Sequence, residues 1–196
     1  MAPRGVAIPD ARERLFAAAE RVLERDGPGA LTSRAVTDEA GCSKGLLHTH
    51  FAGLDAFVAE LCLDRFARAA HQASELPARA GEGAVAATLG SVALALLRSG
   101  GPTISALALS RPAATLRVRQ ALESGAPGFD AIEAAIAAYL DAEQRLGRIA
   151  PTLDTAAAAL AVVGAVHHLL MTAHPGGPDP QERIERLVEL LVSQAE

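Results

Sequence analysis

Cysteine is scarce in this chain: Cys42 and Cys62 are the only two among 196 residues. A disulfide framework needs more of them in a shorter secreted chain, so the fold must hold without one. Two small buried hydrophobes are the plainer reading of the pair, and a redox switch is the other. Residues Met1 to Asp10 lack the apolar stretch of a signal peptide. No apolar run reaches the roughly 20 residues that span a bilayer. The most apolar segment, Ala156 to Met171, is mostly alanine and is interrupted by Gly164, His167 and His168. A soluble, cytoplasmic protein is expected. Positive charge is not in excess either, since 18 Lys and Arg face 23 Asp and Glu, a formal net charge of −5. Residues 1–51 carry seven of each sign and the remainder carries eleven basic and sixteen acidic, so the whole deficit lies beyond residue 51. A neutral first segment is less repelled by phosphate than the rest, but charge alone does not point to nucleic acid.

What is present favours helix. Half the residues are hydrophobic, enough for a well-buried core. Alanine is abundant and β-branched residues are not. Asp10 is placed to cap a first helix, with Glu13 closing a capping box, and Leu15, Phe16, Ala19, Val22 and Leu23 fall on one face. Gly27-Pro28-Gly29 ends it. Thr32 or Ser33 caps a second, short helix to about Ala40, and Gly41 breaks it. Ser43 is expected to cap a third, from Lys44 to about Phe51. A long fourth helix begins at Asp55 and runs to about Ser74. Helical segments follow at 84–98, 103–110, 113–122, 129–146, 154–174 and 180–194, separated by Gly and Pro breaks. No strand and no internal repeat is evident. The expected fold is all-α, about nine helices, with a helix-turn-helix head at 1–54 and a body at 55–196.

Thr32 to Phe51 holds two short helices joined by Ala40-Gly41-Cys42-Ser43, which is helix-turn-helix spacing. The second helix of such a unit must enter the major groove and bring its first residues to base edges and phosphates. The run from Leu31 to Phe51 resembles the DNA-binding signature of the tetracycline-repressor (TetR) family, through Val36, Ala40-Gly41, Ser43, Gly45, Leu47 and His50-Phe51. The segment Leu146 to Asp154 is similar to the loop that precedes the family's dimerising helices. The resemblance implies an operator-binding transcriptional repressor, a homodimer through its last two helices, and a body that takes a small molecule. It also implies a DNA-binding set of Thr32, Ser33, Arg34, Ser43, Lys44, Gly45, Leu46, His48, Thr49 and His50. Arg34 suits O6 and N7 of guanine, and Leu46 and Thr49 suit thymine methyls. Lys44 is the only lysine in the chain. His50 is expected to pack and hydrogen-bond inside the head. His48 stands where the family usually has tyrosine, and Leu54 where it often has lysine.

Three other readings compete. Gly41-Cys42-Ser43-Lys44-Gly45 matches the nucleophile elbow of α/β hydrolases, but that elbow needs an entering strand. His167, His168, His174 and His71 raise a metal sensor, yet show no compact tetrahedral set. An interaction protein without DNA binding is the third. No enzyme activity, metal or cofactor is expected. For the ligand, apolar spacing and resemblance select Leu94, Leu97, Leu107, Phe129, Ile136, Tyr139, His167 and Met171, a mostly apolar lining with one or two hydrogen bonds from Tyr139 or His167. Small residues in 156–165 and the Ile184, Leu187, Val188, Leu191, Val192 stripe suit close helix pairing across a two-fold axis.

Overall fold

The computed structural model describes residues 11–98, 101–172 and 177–193, except for the side chains of Gly101, Pro102, Met171 and Ser193. It holds ten α-helices and two short 3-10 turns, with no strand among the described residues. The helices are α1 (Ala11–Asp26), α2 (Ser33–Glu39), α3 (Leu46–His50), α4 (Leu54–Ser74), α5 (Val85–Arg98), α6 (Gly101–Leu109), α7 (Pro112–Glu123), α8 (Phe129–Arg145), α9 (Thr155–Thr172) and α10 (Pro180–Ser193). The ten correspond to the ten helical segments marked along the sequence, against a stated total of about nine. Asp10, His174 and Gln194 lie outside the described residues. No single helix among the described residues is long and apolar enough to cross a membrane.

The head closes around aromatic side chains. Phe16 of α1, Phe51 and Phe57 of α4 form a three-ring cluster with centroids 4.9 to 5.7 Å apart. Leu15, Val22, Val36 and Leu47 fill the space around them. Thr32 caps α2, its hydroxyl accepting from the N–H of Ala35 at 3.0 Å. The other end of α2 is a Schellman closure: Cys42 N–H donates to Thr37 O and Gly41 N–H to Asp38 O. Gly41 sits there at φ +62°, which a residue with a Cβ adopts only with strain. Arg14 of α1 adds a guanidinium hydrogen bond to Ala40 O at 2.9 Å, placing positive charge where the helix dipole is negative. These bonds fix the angle of the turn.

Two hydrophobic clusters share the molecule. The first holds the head, α4 up to Cys62, and Ile104, Leu107, Ala108 and Ala114 from α6 and α7. The second begins at Ala69 of α4 and gathers α5, α8, α9 and α10. Helix α4 therefore belongs to both. Ion pairs tie α1 along it: Arg12 to Glu60, Arg68 to Glu13, and Arg65 to Glu20. Arg111, at the start of α7, reaches Asp55 at 2.5 Å. In the second cluster Glu143 is fully buried and accepts the N–H of Gly81 at 3.1 Å, with Arg148 at 3.3 Å. That carboxylate pins the α4–α5 connection to α8.

Candidate nucleic-acid interface and ligand cavity

The residues expected to read DNA lie on α2 and its N-cap, on α3 and in the turn between them, and most are exposed. Thr32, Arg34, Ser43, Lys44, Gly45, His48, Thr49 and His50 are exposed, and Ser33 and Leu46 are half-buried. Leu46 also packs against the head core, so its apolar surface serves the fold as well as the outer face. Thr49 donates its hydroxyl back to Gly45 O at 3.1 Å. Arg34 rests against Asp38 one turn on, at 3.5 Å with both side chains mostly exposed, a contact weak enough to exchange.

Two expectations are corrected here. The third helix starts at Leu46, and Gly45 rather than Ser43 occupies its N-cap, without a side-chain cap. Ser43 contributes its carbonyl instead, accepting from Leu46 N–H at 2.9 Å, so residues 43–45 form a turn that leads into the helix. His50 is exposed rather than packed inside the head. Its neighbour Phe51 takes the buried place, with Arg12 over the ring at 4.6 Å, and His50 faces the cleft that Arg12 and Glu60 line. Ser43 stands between two helices with no strand before it, so the elbow match has no structural counterpart.

The body encloses two adjoining cavities at the seam between the hydrophobic clusters. The inner one is a slot of about 30 Å3 bounded by Ile104, Ile132, Val163, Val166 and Leu170. The outer one is a groove of about 350 Å3 beside α7, with Val118 and Leu122 on one wall and Thr115, Arg119, Glu123 and His167 at its edge. Both share Cys62, Phe66, Ser105 and Phe129. Phe66 and Phe129 meet edge to face at 4.9 Å, and Phe129 meets His167 at 5.3 Å. Arg65 also borders the slot, but its guanidinium is committed: Nε and Nη2 bind Glu20 at 2.5 and 2.7 Å, and Nη1 binds Asp64 at 2.5 Å. Burial works against its charge, yet the hydrogen bond and charge of Glu20, with Asp64 and Glu13, leave its pKa raised. Cys62 is 3% exposed, and burial pushes its thiol up to about 11. A thiol so protonated is a packing group, not a nucleophile.

Of the eight residues selected for the lining, Phe129 and His167 line a cavity. Ile136 and Tyr139 are fully buried in the second cluster, and Leu107 is buried in the first. Leu94 and Leu97 pack partly buried against the second cluster. The side chain of Met171 lies outside the described part. The phenol of Tyr139, raised in pKa chiefly by burial, lies beside Thr88 and Glu143 and is not presented to the cavity. Periodicity marks which face of a helix is apolar, but it does not separate a wall that meets another side chain from one that meets a void. The α4 residues Cys62 and Phe66 carried the missing signal: they lie four apart on the face of the connector helix turned to the body. Among the described residues, no three His, Cys, Asp or Glu side chains converge as a metal site.

Comparison with known proteins agrees with this geometry. Residues 15–61 match the family model for bacterial regulatory proteins of the tetR family. No curated protein matches the sequence significantly. Among solved structures, a protein assigned to the tetR-family transcriptional regulators from Mesorhizobium loti MAFF303099 superposes with a TM-score of 0.71 at 16% identity, covering 97% of this chain and 96% of that one. A transcriptional regulator from Rhodococcus sp. Rha1 gives 0.69 at 22% identity, over 94% and 95% of the two chains. The regulator FadR of Bacillus subtilis, solved with stearoyl-CoA, gives 0.64 at 16% identity, over 94% and 99%. Residues 15–61 thus match the helix-turn-helix head of the tetR family, and the chain shares the fold of these regulators along almost its whole length.

Proposed function

We propose that the protein is a homodimeric repressor that holds a palindromic operator and releases it when a small, mostly apolar molecule enters the body. The observation that carries this reading is the placement of the cavities. They lie where the head's hydrophobic cluster meets the rest of the body, with α4 forming a wall of both. A molecule lodged there acts on the helix that carries the head. The functional division then falls at 54/55, with residues 1–54 reading DNA and 55–196 sensing and dimerising. In the head, Ser43, Lys44 and Gly45 reach the backbone, and Arg34 leaves Asp38 for a guanine. His48 takes the place usually held by a phosphate-binding tyrosine and donates more strongly when protonated.

Pairing through α9 and α10 is supported by what they leave uncovered. Ala157, Ala161 and Gly164 share one face of α9 with Leu160, which is 58% exposed. Small side chains at this spacing let a second helix approach closely, and two helices from each protomer make a four-helix bundle.

Selection from a random duplex library tests the reading surface. The parent should enrich a palindrome with half-sites about one helical turn apart or somewhat more. Lys44→Ala should weaken binding to all sequences and lower the salt slope by about one, while Arg34→Ala should cost about 1–3 kcal/mol and relax one base position. Unchanged binding in both variants would remove this surface from the argument. An interaction protein without DNA binding is the better reading only if no duplex is enriched at all.

A further inference from the structure

The slot and the groove adjoin and share four lining residues, Cys62, Phe66, Ser105 and Phe129. Phe66 from α4 and Phe129 from α8 each line both cavities, both are half-buried, and they touch edge to face at 4.9 Å. On the inner side the walls are aliphatic, and the one charged neighbour, Arg65, spends its donors on Glu20 and Asp64. A charged or strongly polar group would therefore find no unpaired charge to meet in the slot, and would lose its hydration on entry. On the outer side a mostly apolar lining is joined by polar and charged side chains. Thr115, Arg119, Glu123 and His167 border the groove, with both charge signs present. The pair of spaces thus widens from a narrow apolar slot to a mostly apolar groove whose lining also includes polar and charged side chains.

As found, the slot has the volume of about one water. It becomes useful only if its walls part, and the walls best able to move are the two half-buried phenyl rings and the half-buried Leu170. An opening made by swinging two rings apart admits a single chain, not a broad ring system. We infer that the two cavities are one binding site for a single-chain amphiphile, whose uncharged hydrocarbon end passes between Phe66 and Phe129 into the slot while its polar end stays at the α7 edge. This rests on the body being a ligand sensor, and it adds the shape, polarity and direction of the ligand. Phe66 adjoins Arg65 in sequence, so parting the rings acts on the same turn of α4 that grips Glu20 of α1.

The test uses straight-chain 1-alkanols from six to ten carbons, titrated calorimetrically into the full-length, DNA-free protein. Affinity should rise about fourfold per added methylene, the factor expected when each buries about 0.8 kcal/mol of apolar surface. Leu170→Phe narrows the slot at a half-buried site. It should leave 1-hexanol binding within about twofold while removing the gain from seven carbons upward. Val166→Phe, at the buried wall, should do the same, and thermal melts of both variants confirm that the fold persists. A flat series in the parent, or an unaltered slope in a folded Leu170→Phe protein, overturns the inference. The outcome is independent of operator binding. A graded series with no effect on DNA would sink induction and keep this site, whereas a flat series would leave DNA binding by the head untouched.

Discussion

Glu20→Gln probes the strongest link between head and body. The Arg65 side chain is 10% exposed and that of Glu20 27%, and the contact is bidentate at 2.5 and 2.7 Å. An exposed ion pair contributes about 0.2–1 kcal/mol, and breaking a fully buried one costs about 3–5 kcal/mol. This pair lies between those limits, and two features moderate its loss. Asp64 still neutralises the guanidinium at 2.5 Å, and glutamine can keep one hydrogen bond through its amide oxygen. About 1–2 kcal/mol is therefore expected. For a chain of this size each kcal/mol moves the melting midpoint by about 2–4 °C. The midpoint should thus fall by about 2–8 °C, read by circular dichroism at one fixed protein concentration, since dimerisation makes it concentration-dependent. Arg65→Gln should cost at least as much, and the double variant should cost less than the sum by about 1 kcal/mol. Additivity within about 0.3 kcal/mol would show that the two side chains do not act as a pair, and would remove Arg65 from the connection between cavity and head.

Further expectations concern the remaining surfaces. Leu160→Glu should convert the dimer to monomer in sedimentation at micromolar concentration, and a parent that already sediments as a monomer would refute the α9–α10 pairing. Ligand and operator should each weaken the other's affinity by the same factor, so equal ligand titrations with and without operator would refute the induction scheme. At pH 8 a thiol reagent should modify the half-buried Cys42 well before Cys62. The raised Cys62 pKa stabilises the fold below the ordinary value of 9.0, and this contribution should fade as pH rises towards about 11. The hydrogen bonds of Arg21 and Arg25 hold Glu39 below its ordinary 4.5, so the α1–α2 clamp should persist above that value and weaken as pH falls beneath it.

The helices were legible in the sequence because their determinants are local. A cap such as Thr32, a left-handed glycine such as Gly41, and an apolar stripe such as that of α10 each act within one or two turns. The start of α3 was misplaced because Ser43 and Gly45 both suit a helix entrance, and only the surrounding backbone decides which carbonyl is used. The inward place expected for His50 goes to its neighbour, because the ring cluster with Phe16 and Phe57 holds Phe51. The cavity was the least legible part. Its walls come from α4, α5, α6, α8 and α9 together, so its position depends on how helices far apart in sequence fail to meet.

The two-cluster arrangement of α4 bears on how such proteins can be recombined. Splicing a foreign head at residue 54 would cut through a single hydrophobic cluster, because α4 up to Cys62, and parts of α6 and α7, pack with α1 to α3. A graft that respects the packing would carry the first half of α4 with the head and would have to match the α6–α7 surface it lands on. Under the proposed function, specificity for an operator and specificity for an inducer would then not be freely interchangeable parts: shared side-chain shapes join them, and a change of one asks for repair of the other.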